Sequence, residues 1–114
     1  MTVCRRGDVV LIPFPFTDLS TFKQRPALVL SSDEFNAGSQ DVITAAITSH
    51  LSHHALAGDF TLREQDLRAG GLPRASTVRL GKIVTLDKRL IRKKLGCLPE
   101  HTVREIGVKL HSLV

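Results

Sequence analysis

Two apolar runs punctuated by proline, close together near the start of the chain, limit the possible folds more than any other feature. The first is Gly7-Asp8-Val9-Val10-Leu11-Ile12-Pro13-Phe14-Pro15-Phe16 and the second is Arg25-Pro26-Ala27-Leu28-Val29-Leu30-Ser31-Ser32. Residues 9–12 are uninterrupted apolar, which reads as a short strand buried on both faces. Proline cannot donate to a central ladder, so that strand must end or become a sheet edge at Pro13. Pro26 pushes the residue before it into an extended backbone, so Arg25 is expected to stand rigidly at the mouth of a second strand over residues 27–30. Between the two runs, residues 17–24 are polar and carry Asp18, Ser20, Thr21 and Lys23. They predict a loop joining antiparallel strands, the kind of segment that carries function more often than the strands it connects.

The remaining elements are short. Ser31-Ser32-Asp33-Glu34 has the form of a helix cap followed by first-turn acids, and Asn36, Gly38 and Ser39 stop that helix early. Residues 42–47 form a third strand that gives way to Thr48-Ser49, a hydroxyl pair whose ordinary role is to satisfy local backbone groups. Residues 58–62 alternate weakly like a strand, and residues 64–68 predict one helical turn closed by Gly70-Gly71. Ser76 to Leu80 alternate again, and Gly81 inside the run suits a bulge or barrel corner. Arg79 then points away from the side that Val78 and Leu80 bury. Asp87 predicts the cap of a short basic helix running through Lys94 and closed by Gly96. Pro99-Glu100 opens a last helix whose Val103, Ile106, Leu110 and Leu113 form one apolar stripe.

At 114 residues the chain is expected to be one domain, 1–114, able to bury a core without a metal or disulfide scaffold. The predicted fold is α+β, mainly β: a small barrel of five or six short strands with a small helix and a C-terminal helix. Sixteen Lys and Arg against eleven Asp and Glu leave a net charge of +5, which favours an anionic partner. Between Arg74 and Lys94 eight basic residues face Asp87 alone, a phosphate-binding footprint or else a solvated face. Cys4 and Cys97 lack metal-ligand spacing and read as free thiols. His50, His53 and His54 lack a Cys or carboxylate partner at ligand spacing, so no metal site is expected. No apolar run approaches the roughly 18 residues of a membrane span, and the expected location is the cytoplasm.

The Gly7 to Asp18 run, the Arg25 to Ser31 run, the Thr48-Ser49 pair, the Ser76-Thr77-Val78 strand and the Leu95-Gly96 step before a final helix resemble the PemK/MazF family of type II toxins. The resemblance covers nearly the whole chain in order. It implies an SH3-like (CcdB/PemK-like) barrel, usually a homodimer, that acts as a sequence-selective, metal-independent endoribonuclease on single-stranded RNA. It implies no cofactor, and a cognate antitoxin protein whose tail occupies the RNA groove. Position by position, Arg25 matches the family's catalytic arginine, Thr48 its active-site threonine and Ser76 a serine near the groove. Where well-studied relatives carry a glutamate five residues before the arginine, this chain has Ser20, so the general base is open and Asp18 is the nearest candidate.

These residues suit the chemistry. RNA carries its own nucleophile, the 2′-hydroxyl, so the protein must supply position and charge. A preorganised guanidinium answers charge developing on phosphoryl oxygens better than a lysine point charge. Thr17, Ser20, Lys23, Ser49, Ser76, Arg79 and Lys82 are the expected RNA contacts. Two other functions compete: a CcdB-like poison of DNA gyrase acting by protein contacts, and an RNA-binding module with weak catalysis.

Overall fold

The computed structural model describes residues 3–15, 22–49 and 57–114. One six-stranded antiparallel sheet runs β1 (Asp8–Pro15), β2 (Phe22–Val29), β3 (Asp41–Thr48), β4 (Asp59–Thr61), β5 (Thr77–Asp87) and β6 (Lys93–Cys97) in chain order. In space the order is β4-β5-β3-β2-β1-β6. Helices α1 (Asp33–Gly38), α2 (Glu64–Ala69) and α3 (Glu100–Leu113) occupy the connections and the C-terminus. No described helix is long and apolar enough to cross a membrane. The mainly-β α+β class read from the sequence is the one observed.

Alternation along the strands sends side chains into two cores, one on each face. Val9, Leu28, Ala45, Ile47, Val78 and Leu80 pack with Leu98 and Ile106 on one face. Val10, Ile12, Ala27, Val29, Val42 and Leu86 pack with Cys4 and Ile91 on the other. Helix α3 covers the first face. Its stripe buries Ile106 and half-buries Val103 and Leu110 against that core, so the partner of the stripe is the sheet. The sheet curls until β6 meets the turn after α2. There a Cβ on Gly71 would collide with the Leu95 backbone, and one on Gly96 with the Ala69 carbonyl. Gly71 also has φ of 69°, the left-handed region that glycine enters without a penalty.

The prolines act as the sequence demands, though further along each strand. β1 continues through Pro13, paired with Gln24, because its other neighbour, β6, pairs only as far as Leu11. Past Leu11 that side of β1 is an edge, where a missing N–H costs no ladder bond. β2 begins at Phe22, so Lys23 and Arg25 lie inside a strand rather than in a loop or at a strand mouth. The long register with β1, down to Pro15 opposite Phe22, overrides the polar composition of residues 22–24.

The expected basic helix through Lys94 is corrected: Asp87 caps only a 3-10 turn at Lys88–Leu90, and Lys93–Cys97 is strand β6. Pairing with Asp8, Val9, Val10 and Leu11 decides the matter, since it satisfies backbone groups that the end of a helix extended through Lys94 would leave to solvent. Gly96 is therefore a close-contact residue within a strand and not a helix stop. The expected bulge is present: Ala46 pairs with Arg79 while Ala45 pairs with Ile83, so residues 80–82 are extra on β5.

Candidate active site

The face away from α3 changes character along its length. At one end it holds the second apolar core; at the other, register places a group of polar side chains together. Arg25 pairs with Ile12 and Lys23 with Phe14, and cross-strand partners share a face. Ile12 and Phe14 belong to the second core, so Arg25 and Lys23 stand beside it. On β3, Ala45 and Ile47 point toward α3, which sends Ala46 and Thr48 the opposite way. Thr48 pairs with Thr77, and Ala46 with Arg79.

The paired stretch of β2 with β3 runs from Val29 opposite Thr44 to Ala27 opposite Ala46. Continued by two residues, the same register sets Arg25 level with Thr48. The ladder stops at Pro26, which has no N–H to extend it. Proline thus has two effects on one residue: it holds Arg25 extended and ends the pairing beside it. The result is an arginine and a threonine hydroxyl, both half-buried, facing the same side across an interrupted ladder. An extended anionic strand could lie there with its phosphate between them.

Around this pair the other expected contacts divide. Lys23 is exposed on the same face, and Ser49 is exposed just beyond the end of β3. Lys82 is exposed within the bulge. Arg79 lies one strand beyond Ala46 and forms an ion pair with Asp59, Nε to Oδ1 at 3.0 Å. Ser76 is not brought to this face: it is 4% exposed and its hydroxyl donates to the Arg74 carbonyl. Thr17, Asp18, Ser20 and the histidines His50, His53 and His54 lie outside the described residues.

The basic segment is also less available than its composition implies. Lys88 donates to the Asn36 carbonyl, Arg89 grips Asp87 through two side-chain nitrogens, and Lys94 lies 3.1 Å from the buried Asp8 carboxylate. These cations hold the fold. Neither thiol suits covalent catalysis. Burial, then the Asp8 carboxylate, pushes Cys4 and Cys97 above the ordinary thiol range, so both stay protonated at neutral pH. A cleft of about 760 Å³ lies on the opposite face, under α3 and lined by Leu28, Leu30, Leu98, Val103 and Leu110. Its lining is mainly apolar.

Sequence reasoning missed two members of this surface. Thr77 could have been found, because burial of Val78 and Leu80 on one side places residues 77 and 79 together on the other. Asp59 gave no such signal, since only the pairing of β4 with β5 sets it opposite Arg79.

The family model for PemK-like, MazF-like toxins of type II toxin-antitoxin systems matches residues 5–114. The chain belongs to this family. It is 38% identical over 93 residues to Endoribonuclease MazF6 of Mycobacterium tuberculosis, covering 81% of this chain and 79% of that protein. Endoribonuclease MazF2 of Mycobacterium bovis matches to the same extent. Among solved structures, MazE-MazF from Deinococcus radiodurans superposes with a TM-score of 0.75 at 26% identity, covering 98% of this chain and 96% of the other. The family's fold accordingly extends over nearly all of the chain.

Proposed function

We propose that residues 1–114 act as one toxin domain of a type II toxin-antitoxin pair, a sequence-selective endoribonuclease that cleaves single-stranded RNA in the cytoplasm. Its relatives are named endoribonucleases, and what supports the reading here is the β2–β3 register, which continued by two residues sets Arg25 level with Thr48. Nothing on this face favours the gyrase-binding alternative, which requires neither residue. The partners are RNA, a cognate antitoxin and a second copy of the chain.

In the proposed reaction the ribose 2′-hydroxyl attacks the adjacent phosphorus and the 5′-oxygen of the next nucleotide leaves. Negative charge grows on the non-bridging oxygens, where the Arg25 fork neutralises it and the Thr48 hydroxyl donates a directional hydrogen bond. A guanidinium gives up its proton reluctantly, so the role of Arg25 is electrostatic. Asp18 is the candidate base, and Asp18→Asn should then lower turnover sharply while RNA binding is kept. Lys23, Ser49 and Lys82 hold the strand beside the cut. Mapping the ends of a mixed-sequence RNA cleaved in chelator tests the whole reading. Cyclic phosphate and 5′-hydroxyl termini are expected; 3′-hydroxyl ends, or RNA retained uncut, would refute it.

A further inference from the structure

Helix α3 carries a glycine that the folded chain does not itself require. Gly107 stands mid-helix, where glycine is the poorest helix former after proline. Its φ is not positive, and a Cβ built on it meets nothing within 4 Å among the described residues. Neither backbone conformation nor internal packing accounts for it. What a bare stretch of helix does allow is the close approach of another backbone. Gly107 also lines the cleft under α3, together with Glu100, Arg104, His111 and Val114, at steps of three and four along the helix. The cleft therefore follows all 14 residues of α3, roughly 20 Å of rise. Leu30, Val103 and Leu110, each half-buried, supply its apolar lining. A groove of that length suits a helix laid along it better than a compact ligand.

The charge around the cleft narrows the occupant. Arg6, Arg104 and His111 stand exposed along it, against Glu100, which Arg104 already engages at 2.9 Å. Arg6 is held in place: its amide donates to Asp33 Oδ1 at 2.8 Å and its Nε to the Leu30 carbonyl at 3.0 Å. Neither bond uses the two terminal nitrogens of its guanidinium. A second copy of the chain, at net charge +5, would bring like charges together here, whereas an acidic partner is complementary. We propose that this cleft is a second docking site for the antitoxin, on the face away from the candidate active site, and that it takes a short acidic amphipathic helix. Apolar residues on one side of that helix fill the groove beside Leu30, Val103 and Leu110. Its backbone crosses close to Gly107, and its carboxylates meet Arg6 and Arg104. An antitoxin anchored there stays attached while RNA occupies the opposite face.

This inference rests on the toxin-antitoxin reading, and the experiment separates the two. The antitoxin encoded beside this toxin is purified, and its affinity is measured for the wild type, Gly107→Leu and Arg104→Glu. Gly107→Leu fills the groove from an exposed position and should weaken binding roughly tenfold or more. Arg104→Glu should slow association roughly tenfold at low salt. RNA cleavage by both variants should stay at the wild-type rate, which also reports that they are folded. Overlapping peptides of the antitoxin are then tested against the wild type saturated with RNA whose sugar at the cut is 2′-deoxy. An acidic amphipathic peptide should still bind, and Gly107→Leu should lose it. Unchanged affinity in both variants, or displacement of every peptide by RNA, would overturn the proposal. A changed oligomeric state in Gly107→Leu with antitoxin affinity unchanged would overturn it too, and give this face to a second copy. No binding of the antitoxin to the wild type would instead refute the toxin-antitoxin partnership, and this inference with it.

Discussion

The two faces of the sheet use the same strands differently. Under α3, Val9, Leu28, Ala45, Ile47, Val78 and Leu80 pack together with Ile106, which is 1% exposed. Even the polar groups there are fully engaged. Asp66 accepts from the Thr102 hydroxyl at 2.6 Å and the Arg63 amide at 2.9 Å, and Arg63 continues to Glu105, fastening α2 to α3. The opposite face is apolar at one end, and at the other carries Lys23, Arg25, Thr48, Thr77, Arg79 and Asp59 along four strands. The comparison teaches that alternation can put an apolar core on one side of a strand and a polar surface on the other. Arg25 and Leu28, three residues apart, serve opposite faces.

If that division holds, substitutions on the two faces should separate stability from activity. The largest effect is expected from Ile106→Ala, which empties a fully buried site under α3 and should lower unfolding free energy by about 2–5 kcal/mol in denaturant melts. Activity per folded molecule should stay near the wild-type value. Arg25→Ala should do the reverse, reducing cleavage by about 10²–10³ with little change in melting temperature. A matching loss of stability would break the comparison. Thr48→Val, which keeps shape and removes the hydroxyl, should cost roughly ten- to hundredfold in rate, the range of a hydrogen bond to a charged group.

A smaller effect sharpens the α3 side. Burial alone would raise the Asp66 carboxyl, but the bonds from Thr102 and Arg63 outweigh it and hold the group below the usual carboxylate range. A depressed folded pKa contributes stability above the unfolded value of about 3.9, lost as pH falls through the folded value. Asp66→Asn should therefore cost about 1–2 kcal/mol at neutral pH and flatten the acid limb of the stability curve below about pH 4. Smallest of all, Lys82→Ala should reduce the slope of RNA affinity against salt by about 1 and leave folding unchanged. An equal slope would remove Lys82 from the groove.

Much of the architecture was legible beforehand because it rests on local chemistry. Ser32 accepts from the Phe35 amide as a cap should, Gly81 lies in the bulge, and the Val103, Ile106 and Leu110 stripe meets the sheet. Residues 93–97 misled because a run of lysines after an Asp cap reads as helix, whereas β1 offered a ladder that local propensity cannot register. Ser76 misled for a similar reason, since its position in the sequence is that of a groove residue while its hydroxyl is spent on Arg74.

The sequence by itself determined which residues could not pair, bury or bend otherwise: the prolines that interrupt ladders, the apolar steps that choose a face, and the arginine held extended before Pro26. Tertiary structure alone decided who stands beside whom. Arg25 reaches the level of Thr48, and Asp59 that of Arg79, through strand registers that join residues more than twenty positions apart in the first case and twenty in the second. Such registers are fixed by the packing of two cores at once, a condition that no short stretch of chain contains.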